Sequence, residues 1–209
     1  SEHSFPTRRS SDLSIPLRVG VVTSVGTAAW HDFHDELQRS ALGFSLTVID
    51  TRVQGEFAEE MVAAAIVTLS RRIDLDAVVV IRGGGARNEL AVFDAERIAR
   101  AIASSPVPVL TGLGHEVDRS VADEVAHTSL KTPTACAGEL IARAARYSAE
   151  AEVTFASILR ENGLALPPDV AMLLKVFVTL DAFGLALDPD FQMAPLALPF
   201  TEQAMRRYR

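Results

Sequence analysis

One cysteine, Cys136, stands in a chain of 209 residues, so no internal disulfide can staple the fold. Its flanks, TPTACAGEL, are the small apolar residues of a helix interior, and the thiol reads as a buried structural group. No apolar run reaches the ~18 residues of a membrane span, and the N-terminus lacks the apolar core of a secretory signal. The expectation is a cytoplasmic protein with no membrane partner. Basic charge is also in short supply. A net charge of −7 argues against a chain-wide electrostatic grip on nucleic acid. A local site remains open, because phosphodiester chemistry can run on a few arginines. What the chain does have is a hydrophobic fraction of 48%, enough for an ordinary buried core.

The stretch from Ala77 to Asp123 organises the rest. It reads as strand, glycine loop, helix, strand, glycine loop, helix. Before it, RVGVVT (Arg18–Thr23) is an apolar, β-branched strand, Thr27 to about Ala41 a helix, and Leu46–Ile49 a second strand. Ala28, Ala29, Phe33 and Leu37 supply the apolar face of that first helix. Phe57 to about Arg71 is a helix whose expected core stripe is Met61, Ala64, Ala65 and Leu69. Ala77–Ile81 and Val107–Leu110 are the third and fourth strands. Between them Asp94–Ala103 forms a helix with Asp94 as its N-cap. The alternation predicts an α/β fold: a mainly parallel sheet of four or more strands with flanking helices and right-handed crossovers. After Asp123 the pattern is helical, with one helix from Pro133 to about Tyr147 and others over Phe155–Asn162 and Val170–Phe183.

Three stretches carry residues with chemistry. RGGG directly follows VVVI, so that the backbone N–H groups of Gly83, Gly84 and Gly85 can approach a phosphate, with the Arg82 guanidinium as a clamp. It matches neither G-x-G-x-x-G nor the P-loop, and a plain strand-to-helix turn stays open as the alternative. GLGHEVD holds Gly114, His115, Glu116 and Asp118 between a strand and a helix. The histidine is a proton carrier that a carboxylate can orient. The alternative is a capping cluster in which Asp118 or Ser120 starts the next helix. The stretch lacks the histidine pair of zinc hydrolases. On the first helix, HDFHDEL brings His31, Asp32, His34 and Asp35 to neighbouring positions, which can equally be a solvated face.

Together these stretches resemble the catalytic domain of the exodeoxyribonuclease VII large subunit. The likeness rests on RVGVVTS, Ala28-Ala29-x-x-Asp32, VQGE at 53–56, VVVIRGGG, FDxExIARAIxxSPVPV at 93–109, GxGHExDxS at 112–120, ADxVA at 122–126 and TPTAxAxEL at 132–140. It spans about residues 14–147. The resemblance implies hydrolysis of single-stranded DNA to oligonucleotides, with no cofactor and no divalent metal required. Carried over by position, it assigns catalytic roles to Asp32, Arg82, His115 and Asp118, with Asp35 as the competitor for Asp32. Gly83, Gly84, Gly85 and Gly114 become the phosphate-binding backbone. After RGGG the usual Ser-x-Glu-Asp-Leu-Trp is replaced by Ala86-Arg87-Asn88-Glu89-Leu90-Ala91. The family also implies single-stranded DNA and a small subunit as partners.

The ends of the chain read differently. Residues 1–13 are polar and aperiodic and resemble a translated sequencing-adapter fragment, so a disordered or artefactual leader is expected. Residues 148–209 form an expected helical tail of different origin. Within it, about 155–195 resembles a C-terminal helical segment of the ABC1/UbiB atypical kinase-like family, without that family's catalytic motifs. The nuclease family's N-terminal OB-fold and its small-subunit-binding region are expected to be missing. Two other functions stay open at this point: a non-catalytic chimera bearing a helical interaction segment, and a nucleotide- or phosphate-binding α/β domain.

Overall fold

A computed structural model describes residues 16–84, 90–114 and 119–161. The expectations for residues 1–13 and for the chain beyond Glu161 lie outside the described residues.

Five parallel strands form one sheet: β1 (Arg18–Thr23), β2 (Ser45–Asp50), β3 (Ala77–Ile81), β4 (Val109–Gly112) and β5 (Thr128–Leu130). Their spatial order is β2-β1-β3-β4-β5. Among the described residues, five helices connect or cover them: α1 (Ala28–Arg39), α2 (Ala58–Ser70), α3 (Glu96–Ala103), α4 (Val121–Val125) and α5 (Pro133–Glu161). The central strand, AVVVI, is buried at all five positions, as a parallel strand covered on both faces must be. Alternation along the strands divides the core. Val19, Val21, Val79, Ile81 and Leu110 pack with Phe33 and Leu37 of α1 and with Cys136, Ala137 and Leu140 of α5. Val22, Val78, Val80 and Val109 pack with α2, α3 and Ala122 of α4. None of the described helices is long and apolar enough to cross a membrane.

The winding follows from those faces. From β1 the chain runs out to β2 through α1. It then returns across β1 to β3 through α2 and continues outward to β4 and β5 through α3 and α4. Successive crossovers in opposite directions lie on opposite faces of the sheet, as uniform handedness requires. The reversal point is between β1 and β3.

Several local expectations need correction. The short strand β5 falls where a purely helical pattern was expected, and pairs with β4 over Thr128–Leu130. Three half-buried residues, TSL, carry too little alternation to be read as a strand. β4 starts two residues later than expected, because Pro106 and Pro108 have no N–H to give a ladder; the Pro108 carbonyl still accepts from Val78 N at 2.9 Å. The core stripe of α2 is Val62, Ala65, Ile66 and Leu69, while Met61 and Ala64 are exposed. The helix is turned by about one residue so that Val62 and Ile66 go inside. Ala28 is exposed, leaving Ala29, Phe33 and Leu37 as the buried face of α1. Asp94 does not cap α3. It ends a 3-10 turn over Ala91–Asp94, and its carboxylate accepts from the N–H of Val121, the first residue of α4, at 2.9 Å. Finally, α5 runs unbroken through the stretch where two separate helices were expected.

Candidate active site at the β1/β3 switch point

Three segments leave the carboxyl ends of neighbouring strands at the reversal point: the turn after β1, the glycine loop after β3 and the glycine loop after β4. In a sheet of this winding the crevice between such segments is where ligands bind.

Sequence and hydrogen bonds fix each segment. The turn after β1 is tied to the next strand by Thr51 N, which donates to Thr23 O at 2.9 Å, and by Val25 N, which donates to Asp50 Oδ1 at 2.8 Å. Thr27 then caps α1: its hydroxyl accepts from Trp30 N at 3.4 Å and donates to Ser24 O at 2.7 Å. The β3–β4 ladder continues beyond the strands through Arg82 N, which donates to Gly112 O at 3.1 Å. Arg82 is 2% exposed, so its side chain is a fixed charge at the end of a buried strand rather than a mobile surface arm.

The two glycine loops meet. Gly114 has φ +83°, a conformation that favours glycine, and a Cβ there would lie 3.5 Å from Gly83 O and 3.6 Å from Gly84 Cα. A Cβ on Gly83 would in turn lie 3.5 Å from that of Ala29. The loop after β3, the loop after β4 and the first turn of α1 therefore approach so closely that one added methyl group would bridge each gap. The amides of a helix start and of glycine loops are an environment for an anion.

The exit of the second loop is held by a buried network. The carboxylate of Asp123 accepts from Thr111 Oγ1 at 2.6 Å, from Ser120 Oγ at 2.8 Å and from Ser120 N at 3.2 Å. Ser120 caps α4 in a capping box, so the cap is Ser120 and not Asp118. Thr111 is fully buried and Asp123 nearly so. This network was missed as a part of the site, although Ser120-x-x-Asp123 is a legible capping signal.

The predicted site residues divide as follows. Arg82, Gly83, Gly84 and Gly114 come together at the switch point. Asp32 is exposed in the second turn of α1, three residues beyond Ala29, and lies on the flank opposite the one that faces β2. Asp35 lies a turn further from the strand ends and pairs with His34, whose Nδ1 is 3.6 Å from Asp35 Oδ1. His31 is exposed. Gly85, His115, Glu116 and Asp118 lie outside the described residues.

Comparison with known proteins adds an independent line. Residues 6–163 match the family described as "Exonuclease VII, large subunit". The chain is 40% identical over 141 residues to an exodeoxyribonuclease 7 large subunit of Geotalea daltonii, covering 68% of this chain and 32% of the relative. A relative of the same name from Thiobacillus denitrificans is 40% identical over 157 residues, 75% of this chain and 35% of the relative. One from Sodalis glossinidius is 43% identical over 126 residues, 60% and 27% respectively. The chain thus spans about a third of the length of the curated relatives it matches.

Proposed function

Because the chain belongs to the exonuclease VII large-subunit family, we propose that its α/β domain hydrolyses phosphodiester bonds in single-stranded DNA and releases oligonucleotides. The observation that supports this most directly is the close approach of Gly114 to Gly83 and Gly84 beside the first turn of α1. It makes a backbone cradle of the right chemistry for a scissile phosphate. Arg82, buried at the end of β3 directly before these glycines, supplies positive charge where dielectric screening is weak, and so favours the additional negative charge of a pentacoordinate phosphorus.

The remaining roles are assigned by residue type and position. His115 follows Gly114 directly and transfers the proton between the attacking water and the leaving oxygen. Asp118 orients its ring. Asp32 positions the water; it is preferred to Asp35 because it lies nearer the strand ends and Asp35 faces His34. Nothing in this scheme calls for a divalent metal or another cofactor. A small subunit is the expected protein partner, and the site of action is the cytoplasm.

Degradation of end-labelled single-stranded DNA in excess chelator tests the proposal. Oligonucleotide products that persist with chelator and disappear in His115→Ala are expected, with a loss of at least ~100-fold for a general acid–base group. Undiminished hydrolysis by His115→Ala, or hydrolysis abolished by the chelator, would overturn the mechanism.

A further inference from the structure

A groove of about 390 Å³ runs along the outer flank of α1, between that helix and the edge strand β2. Its volume is in the range of small-ligand sites, ~300–1,000 Å³. Leu37, Phe44, Leu46 and Val48 make an apolar floor, and Trp30 and His34 stand one helical turn apart on the wall. Their rings are 5.1 Å apart between centroids and tilted by 34°. Gln38 lies next along the same flank, its Nε2 3.3 Å from His34 Nε2. Trp30 and His34 are only half-buried, so their rings are within reach of a ligand.

Resting on the reading of the chain as a single-strand nuclease, we propose that this groove is a subsite for an unpaired nucleobase of the DNA strand held at the glycine loops. Three features select a base over any other part of the strand. Among the described residues the groove's lining holds no arginine or lysine, and Asp35 borders it through His34, so a phosphate is disfavoured there. An indole beside an imidazole offers π-faces on which any base can stack. The amide of Gln38 and the imidazole of His34 bear both donors and acceptors for a base edge, while the apolar floor receives the rest of the ring. Position supports the same assignment. Trp30 follows Ala29, the residue that abuts Gly83, so the groove opens one helical step from the phosphate cradle. The strand would place a phosphate at the loops and lay a neighbouring base on Trp30.

The chain has a single tryptophan, so its emission reports on this subsite alone. The intact chain is titrated with a phosphorothioate-linked oligothymidylate and, separately, with an abasic strand of equal length and charge. Hydrolysis of ordinary labelled strand is followed in parallel. The expected result is quenching by the oligothymidylate, little by the abasic strand, and a fall in affinity of about five- to a hundredfold in Trp30→Leu, the usual range for one lost base stack, read by the anisotropy of an end-labelled phosphorothioate strand because that variant has no tryptophan. His34→Ala, a change at a half-exposed position, should weaken binding in the same direction while retaining the tryptophan signal. No quenching, or equal quenching by the abasic strand, would overturn the subsite, and the groove would then belong to a protein segment. If that result came with hydrolysis intact, the nuclease reading would stand without it. Base-selective quenching without hydrolysis would keep the subsite and remove the nuclease.

Discussion

Gly112 shows how one residue sets the distance between two elements. A Cβ added there would lie 2.6 Å from Cys136 Sγ and 3.0 Å from the Thr132 carbonyl oxygen, so α5 could not keep its place against β4. Gly112→Ala should therefore destabilise the domain by about 1–3 kcal/mol, read from a denaturant midpoint. Adding Cys136→Ala should recover only part of that loss, because the Thr132 backbone stays in the way. Full recovery in the double variant would show that the thiol alone sets the spacing. The nature of Cys136 was legible in its flanks: it is fully buried, and burial raises its thiol pKa far above the ordinary range. The placement of Arg82 was legible only in part. A glycine loop after a strand announces a site for an anion, but not that the arginine is itself buried.

Among elements, the short helix α4 depends most on side chains. It has five residues, too few to hold together by its own hydrogen bonds, and relies on Asp123, Ser120, Thr111 and Asp94. Asp123→Ala would leave the buried Thr111 hydroxyl without its acceptor and undo the capping box, at a cost of about 1–3 kcal/mol. Because Ser120 ends the loop that begins at Gly114, the same substitution should lower single-strand hydrolysis at temperatures where the domain remains folded. Circular dichroism and the nuclease assay on one sample would check both effects; full activity in a folded Asp123→Ala chain would detach α4 from the site. The capping box could be read locally, since Ser120 and Asp123 are three apart. The contribution of Asp94 could not, because its partner is 27 residues away, and local signals made it the cap of the nearer helix.

At the scale of the molecule, the α/β class, the first three strands and the parallel pairing followed from short apolar runs alternating with helical stretches. The order of the strands did not, because nothing in a strand's own residues says that β1 will have β2 on one side and β3 on the other. The far edge was the least legible. There β5 is three residues long and is held through His127 N, which donates to Val109 O, and through Arg143, whose Nη2 donates to Thr128 Oγ1. The same edge makes stability depend on pH. Burial, and secondarily the Arg143 guanidinium, lowers the pKa of His127 below its ordinary 6.5. The folded state thus binds its proton less readily than the unfolded chain, so the contribution is complete above about pH 6.5 and is lost as the pH falls through the folded value. Thermal midpoints should decline on acidification from neutrality, and less steeply in His127→Asn; equal slopes would remove the histidine from the account.

The meeting of Gly114 with Gly83 and Gly84 has a consequence for how such a site can change. Its shape is written in main chain, which every substitution shares, and the φ of +83° at Gly114 strains any side chain placed there. Variation that alters substrate choice must therefore enter from the neighbouring surfaces, the exposed flank of α1 that carries Asp32 and the opposite one that carries Trp30, His34 and Gln38. A mutagenesis library meant to shift the length or base preference of the products belongs on those two flanks, with the glycines held constant.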